Sequence, residues 1–147
     1  MKSKILVLII LTLILIIFSY FIDNKFYNDQ SKNEFNLKDN NISLLIANTD
    51  ELRQKGLGSV DYLPQNTAML FIFNEMENHG IWMKDMKFSL DIIWLDDKKK
   101  IIHIEENISP NTYPTLFGPE RNSLYIIEAN AGFSRKNAFK VGKVLNF

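Results

Sequence analysis

The residues of this chain that could do chemistry begin with a cluster around a tryptophan. Four of them fall within ten positions, on two segments predicted to be neighbouring strands: Trp82, Lys84, Asp85 and Asp91. An aromatic ring, a cation and two acids could therefore meet at one end of a sheet, as in a small-ligand pocket. In the alternative interpretation, Trp82 packs in the core while Lys84 and Asp85 form a solvated turn. Asp91 then fixes a loop by accepting hydrogen bonds from the backbone or from Arg53.

Two acids on apolar strand faces suggest a second kind of site. Side chains of a strand alternate between its faces, so Asp91 shares a face with Ile93, and Glu128 shares one with Ile126. Burial could separate their pKa values and make one an acid and the other a base, as in a hydrolase. Each buried acid also needs a partner, for which Arg53 and Lys84 are the candidates. Arg53 and Glu128 therefore join the four clustered residues as candidate ligand-binding residues.

The histidines and the absence of cysteine bound the metal chemistry. His103 and Glu105 share a strand face and, with His79, could ligate a divalent metal. A half-exposed strand face with ordinary polar residues is the alternative, and we predict neither a metal nor a cofactor. With no cysteine, disulfides, thiolate catalysis and cysteine-ligated metals are excluded. The chain also has no nucleophile elbow, phosphate loop or nucleotide-binding fingerprint.

The charge balance argues against a nucleic-acid partner. The 147 residues include 17 basic and 17 acidic side chains, so the chain offers no basic field for a phosphate backbone. This length is sufficient for one domain.

Residues 1–22 are predicted to be a single-pass membrane anchor. Residues 5–22 contain only Thr12 and Ser19 as polar residues and would form a helix of about 27 Å. Lys2 and Lys4 precede this run, which places the N-terminus in the cytoplasm and the rest outside it. A cleaved signal peptide and a buried core helix are the alternatives.

Residues 23–41 are predicted to be a polar tether, and residues 42–147 a single β-rich domain. In an alternative interpretation of the tether, Phe35 and Leu37 begin an edge strand. The domain has short apolar runs between turn residues, which predict a mostly β fold, a small β-barrel or sandwich with one or two short helices. The helices are expected after the capping residues Thr49 and Ser134. The predicted strands cover residues 42–48, 68–73, 80–84, 89–96, 100–106, 123–129 and 143–147.

These segments, in order, resemble a bacterial and archaeal family known as domain of unknown function 192. The resemblance covers residues 42–147 and is most specific at residues 82–85 (Trp-Met-Lys-Asp) and 90–96. It also includes Thr49, Glu51, Arg53, Gly56-Leu57, Leu63-Pro64, residues 69–73, Pro110, residues 125–128, Ala131-Gly132 and Val141-Gly142. The resemblance implies a small, mostly β domain, often exported or membrane-tethered, with no established reaction.

Five positions depart from the family pattern. The chain has Gly58 in place of Met, Asp85 in place of Asn, Ser89 and Asn130 in place of Pro, and Lys143 in place of Asp. A site built on the asparagine or on the late aspartate is therefore not expected to be shared.

The leading functional hypothesis is a non-enzymatic, membrane-anchored, extracytoplasmic β domain that binds a protein or a small ligand. The alternative is a hydrolase that uses Asp91 and Glu128. Aromatic residues could form an exposed partner surface or fill the core. They are Phe71, Phe73, Phe88, Trp94, Phe117, Phe133, Phe139 and Phe147.

Overall fold

The computed structural model describes the backbone of residues 2–30, 35–37 and 41–147, and the side chains of residues 4–18, 20–21, 37 and 41–147. The chain divides into two compact units, Met1–Lys32 and Asn33–Phe147.

The first unit is one helix. α1 spans Lys2–Gln30 and therefore continues into the segment predicted as a tether. Residues 31–34 and 38–40 of that segment lie outside the described residues. No helix among the described residues combines the length and the hydropathy of a membrane span.

The second unit is built on a six-stranded sheet. Its strand order is β1-β2-β3-β8-β5-β6, and β4 pairs separately with β7. The strands are β1 Phe35–Leu37, β2 Ile42–Ala47, β3 Thr67–Glu77, β4 Ile81–Trp82, β5 Leu90–Leu95, β6 Ile101–Ile108, β7 Leu116–Phe117 and β8 Ser123–Asn130. β2 and β3 are parallel, and the other pairs are antiparallel.

The sheet is open, which corrects the prediction of a barrel or sandwich. Its edge strands β1 and β6 do not pair with each other among the described residues. The second sheet has only the two short strands β4 and β7, too few for a sandwich. The fold is mostly β with a few short helices, as predicted. Closure is not needed, because short helices and loops cover the apolar faces of the sheet.

A short helix connects the two parallel strands. α2 spans Asp50–Lys55, and Thr49 caps it by accepting a hydrogen bond from the Leu52 amide at 3.3 Å. It ends at Gly56, whose positive φ of 50° suits a residue without a side chain. The predicted capping of this helix by Thr49 is confirmed.

The two faces of the sheet have different cover. One face carries Leu70, Ile93 and Ile127 and packs against Phe133 of α3, which spans Phe133–Lys136, and against Phe139. The other face carries Phe71 and Glu128, on the side of the segment after α2 and of the β4–β7 pair. The side-chain alternation predicted for β5 and β8 agrees with the register of these strands.

Three strand assignments differ from the sequence-based prediction. β3 extends to Glu77, because its last residue pairs with Ser123 after a register shift. Residues 143–147 form only an isolated bridge, between Val144 and Lys100. β4 pairs with β7 rather than with β5, so the predicted strand pair that contains Trp82 and Asp91 is wrong.

The eight phenylalanine and tryptophan residues considered as a partner surface do not form an exposed patch. Phe71, Trp94, Phe133 and Phe139 are buried in the core. The other four of the eight are partly buried, so the alternative of core filling fits them better. The exposed large apolar side chains Trp82, Tyr113 and Leu116 come from β4, β7 and the loop before β7.

Candidate functional site

A cavity of about 380 Å³ opens between the sheet, the segment after α2 and the β4–β7 pair. This volume lies at the lower end of the range of small-ligand pockets. Its lining combines basic, aromatic and aliphatic side chains with one carboxyl group: Arg53, Gln54, Lys55, Gly56, Leu57, Gly58, Phe71, Phe73, Gly80, Ile81, Trp82, Lys84, Met86, Leu116 and Glu128. Four of the six predicted site residues are therefore together in one cavity.

Glu128 supplies the buried carboxyl of this cavity. It lies in the central strand β8, with Met69 and Ile92 as its cross-strand neighbours. The residue is only 5% exposed, and its Oε2 has no hydrogen-bond partner among the described residues. Burial raises the pKa of Glu128 to about 8, and a hydrogen bond with the Leu57 backbone partly opposes this increase. At neutral pH the cavity therefore contains a mostly protonated carboxyl group.

A glycine keeps this carboxyl group open. A Cβ atom on Gly56 would lie 3.6 Å from Glu128 Oε2 and 3.4 Å from Phe71 Cζ. The φ of +50° at Gly56 also disfavours any other residue. The end of α2 thus leaves space directly beside the unpaired oxygen.

Aromatic rings and cations form the outer part of the cavity. Trp82 is 46% exposed and makes an edge contact with Tyr113 at 5.8 Å between ring centroids. The Lys84 Nζ atom lies 5.8 Å from the Trp82 ring centroid, and the Arg53 guanidinium lies 5.3 Å from that of Phe73. These distances are within the range of cation–π attraction.

Arg53 is not the partner of the buried acid. Its guanidinium donates a 2.6 Å hydrogen bond to the Ile72 carbonyl and forms an ion pair with Asp50. Arg53 therefore joins α2 to β3, and the carboxyl of Glu128 stays without a basic partner in the described part of the chain.

Asp91 lies outside the cavity and has a structural environment. Its carboxylate accepts hydrogen bonds from the backbone amides of Asn107 at 3.0 Å, Gly132 at 3.1 Å and Ser134 at 2.8 Å. These contacts join β5 to the end of β6 and to the start of α3. The alternative interpretation, in which Asp91 fixes loops, therefore describes this residue.

The two buried acids cannot act as a pair. Cross-strand neighbours share a face, and Glu128 is opposite Ile92 while Asp91 is opposite Ala129. Because Asp91 and Ile92 are consecutive in β5, the two carboxyl groups point to opposite faces of the sheet. This geometry contradicts the paired-carboxylate hydrolase alternative.

Asp85 is a turn residue and does not line the cavity. Its φ is +57°, a conformation in which Asp and Asn are enriched among non-glycine residues. Its carbonyl accepts a 2.8 Å hydrogen bond from the Ser59 amide, which holds the turn against the segment after α2. The predicted convergence of Trp82, Lys84, Asp85 and Asp91 is therefore wrong for both aspartates.

Much of the apolar lining comes from residues that the sequence does not identify as parts of a site. Leu116 is in the irregular segment after Pro110, and a Cβ atom on Gly80 would lie 2.6 Å from its side chain. The glycine at position 80 was a sign that another chain segment approaches closely, but the sequence does not identify that segment. Gly56 is a similar sign, because its φ of +50° and the nearby Phe71 ring both favour a residue without a side chain.

The histidines have local contacts. The ring of His79 stacks on Phe73 at 3.5 Å, and its Nε2 lies 3.1 Å from the Glu75 carbonyl oxygen. His103 Nε2 lies 3.0 Å from Glu105 Oε1. Among the residues whose side chains the structure describes, no group of three or more His, Asp or Glu is arranged to hold a metal ion.

Fold and site together define a class of protein: a small domain with an open mixed sheet and a cavity against one sheet face. The chain belongs to the family of domain of unknown function 192, described as "Uncharacterized ACR", whose family model matches residues 32–147. The resemblance noted in the sequence is thereby confirmed. No curated protein is significantly similar to this chain.

Two solved structures are similar to this fold. A Sinorhizobium meliloti 1021 protein, described as a candidate transcription regulator, has 25% identity and a TM-score of 0.68, over 71% of this chain and 81% of that protein. A protein of unknown function from Novosphingobium aromaticivorans DSM 12444 has 19% identity and a TM-score of 0.68, over 80% of this chain and 95% of that protein. The second likeness concerns the fold alone.

Proposed function

We propose that this chain is a membrane-anchored extracytoplasmic domain that binds a small ligand in the cavity lined by Glu128, without catalysing a reaction. The observation that carries the proposal is the unpartnered Oε2 of Glu128, which lines a cavity of about 380 Å³. A buried polar atom without a partner costs about 1–3 kcal/mol, and a ligand that hydrogen-bonds to it would recover part of that cost.

The chemistry of the lining favours binding over catalysis. Among the described residues that line the cavity, Glu128 has the single carboxyl group. Asp91 lies on the opposite face of the sheet. General acid–base hydrolysis by two carboxyl groups needs both at the reacting bond. A small ligand also fits better than a protein partner. Glu128 is only 5% exposed, so a flat protein surface would make little contact with its unpaired oxygen.

Ligand binding can be tested with the full-length chain in a nonionic detergent. A library of small polar aromatic and aliphatic fragments would be screened by saturation-transfer NMR against the wild type and Glu128→Leu. We expect a set of fragments whose signal disappears in Glu128→Leu, because the apolar side chain removes the hydrogen-bonding group.

The matched control is Glu105→Leu, which removes a carboxyl group of β6 that does not line the cavity. Circular dichroism and thermal unfolding would verify that both variants fold. The absence of any fragment that depends on Glu128 in folded protein would contradict the proposed function.

The membrane part of the proposal rests on residues 5–22, which carry no charge, and on Lys2 and Lys4 before them. The single helix α1 contains this run, and its described side chains at residues 5–18 are exposed, which supports the proposal. In a bacterial host, the full-length chain should stay in the membrane fraction after alkaline carbonate extraction. External protease should then degrade the domain in intact spheroplasts. Release by carbonate, or protection from the protease, would contradict the anchor or its orientation.

A further inference from the structure

We propose that the cavity takes a small organic anion, with its charged group at Lys84 on the rim, its apolar body against the aromatic wall and an uncharged polar group on Glu128. This inference rests on the proposed function and specifies the ligand class of the same site. Two observations carry it: the basic side chains of the lining and the apolar character of its walls.

The lining has more basic than acidic side chains. Arg53, Lys55 and Lys84 line the cavity, and among the described residues of the lining Glu128 has the one carboxyl group. Arg53 is paired with Asp50, whereas Lys84 is exposed and lies beside the Trp82 ring, so Lys84 is the cation that a ligand can reach. Burial keeps the pKa of Glu128 at about 8, so at neutral pH this group contributes little negative charge. A cleft lined by charges of one sign attracts ligands of the other sign. The field of the cavity therefore favours an anion over a cation.

Most of the larger side chains of the lining are apolar. Leu57, Phe71, Ile81, Trp82 and Met86 are among them. Such walls favour a flat or aliphatic ligand body, since burial of apolar surface contributes about 25 cal/mol per Å². A strongly hydrated ligand such as inorganic phosphate would leave these walls without a partner.

The cavity extends along two aromatic side chains of β3. Glu128 Oε2 and Phe71 Cζ are both within 4 Å of the position of a Cβ atom on Gly56. Phe73 also lines the cavity and lies two residues further along the strand, which corresponds to about 7 Å. A ligand that contacts Glu128 and also covers Phe73 must therefore be about 7 Å long or more.

Three probes with the same phenolic body test the sign of the charge: para-hydroxyphenylpropionate, tyramine and uncharged para-ethylphenol. Each is titrated calorimetrically into the full-length chain in nonionic detergent near neutral pH. We expect the propionate to bind at least about tenfold more tightly than tyramine, with para-ethylphenol between them. Lys84→Gln should remove most of this preference. The matched control Lys87→Gln should keep it, because Lys87 is an exposed lysine outside the lining that pairs with Asp61.

The pH dependence gives an independent readout. As the pH rises through about 8, Glu128 becomes charged, so the preference for the propionate over tyramine should decrease several-fold. In the isosteric variant Glu128→Gln this pH dependence should be absent while the Lys84 effect remains. A purely structural role of Glu128 would leave the preference independent of pH in both proteins.

The outcomes separate this inference from the proposed function. Tyramine binding as tightly as the propionate, or an unchanged preference in Lys84→Gln, would overturn the anion class and leave the ligand-binding function standing. The anion class would also be overturned, and the ligand-binding function would stand, if the three probes fail to bind while Glu128-dependent fragments from the screen do bind. If neither the probes nor any fragment bind, both proposals are wrong.

Discussion

Asp91 and Glu128 are buried carboxyl groups on neighbouring strands of one sheet, and they face opposite ways. The Asp91 carboxylate accepts three backbone hydrogen bonds, while Glu128 Oε2 has no partner among the described residues. Burial is nearly the same, at 0% and 5% exposure. The difference lies in the backbone amides that the surrounding loops provide. It separates an acid that joins three loops from an acid whose oxygen lies unpaired beside a cavity.

The loops around each acid explain this difference. Asp91 faces Gly132, the residue before α3, which has a φ of +85° and an amide without an intrahelical partner. It also faces Asn107 of β6, which has a φ of +55°. Glu128 faces Gly56 and the Phe71 ring, which leave a space rather than a donor beside Oε2. Asp91 therefore lies beside backbone amides that need an acceptor, whereas Glu128 lies beside a cavity.

The largest expected effect is loss of stability when Asp91 loses its carboxylate. Asp91→Ala leaves three backbone amides without acceptors, and each unsatisfied buried donor costs about 1–3 kcal/mol. We expect a decrease in the free energy of unfolding on the order of 4 kcal/mol, and a melting temperature lower by roughly 15 °C. The measurement is urea and thermal unfolding followed by the fluorescence of Trp94, which is fully buried.

Asp91→Asn is the control for this prediction. Its amide keeps one acceptor oxygen, so it should lose about half as much stability as the alanine variant. A loss below about 1 kcal/mol for Asp91→Ala would show that the three hydrogen bonds do not hold the loops, and the contrast with Glu128 would disappear.

The second prediction concerns the pH dependence of stability. Burial raises the pKa of Glu128 from 4.5 in the unfolded chain to about 8 in the folded protein. The folded state therefore holds the proton more strongly, and this contribution is fully present below about pH 4.5 and is lost as the pH rises through about 8. Between about pH 5 and pH 7.5, wild-type stability should fall by about 3 kcal/mol relative to Glu128→Gln.

Urea unfolding at both pH values measures this difference. Glu75→Gln, which changes an exposed carboxyl group of β3, should follow the wild type at both. A constant difference between wild type and Glu128→Gln would mean that Glu128 has a partner in solution and is not open to a ligand.

The third prediction compares two glycines beside the two acids. Gly56→Ala places a methyl group 3.4 Å from Phe71 and 3.6 Å from Glu128 Oε2 in a strained conformation, and should cost about 2 kcal/mol. Gly132→Ala also has a positive φ but meets no atom within 4 Å, and should cost about 1 kcal/mol. Only Gly56→Ala should weaken binding of the propionate probe, measured by calorimetry. Equal weakening of probe binding by both variants would mean that Gly56 does not border the cavity beside Glu128.

The local features of this contrast could be predicted from the sequence. Alternation in β5 and β8 correctly placed Asp91 and Glu128 among apolar neighbours, and Thr49 identified the start of α2. The partners of Asp91 could not be predicted, because Asn107, Gly132 and Ser134 are 16, 41 and 43 residues away. Sequence pattern gives the face of a strand but not the loop that folds over it.

The cavity depended on pairings that the sequence does not specify. β4 and β7 are two-residue strands with a long irregular segment between them, and their pairing brings Leu116 against Gly80. A strand of two residues has too few positions for its hydrophobic pattern to predict a pairing partner, so the predicted pairing of β4 with β5 is wrong. The parallel pair β2–β3 was also missed, because α2 is shorter than the crossover helices that usually signal such a pair.

The smallest expected effect is at Asp85, a predicted site residue that the structure places in a turn. With a φ of +57°, Asp85→Asn should change stability by no more than about 0.5 kcal/mol, since both residues tolerate this conformation. Asp85→Ala should cost about 1 kcal/mol, because alanine tolerates it less. Neither variant should change the affinity of the propionate probe, because Asp85 does not line the cavity. A several-fold tighter binding in Asp85→Asn would instead mean that the Asp85 charge opposes the anion, and that the rim extends from Lys84 to this turn.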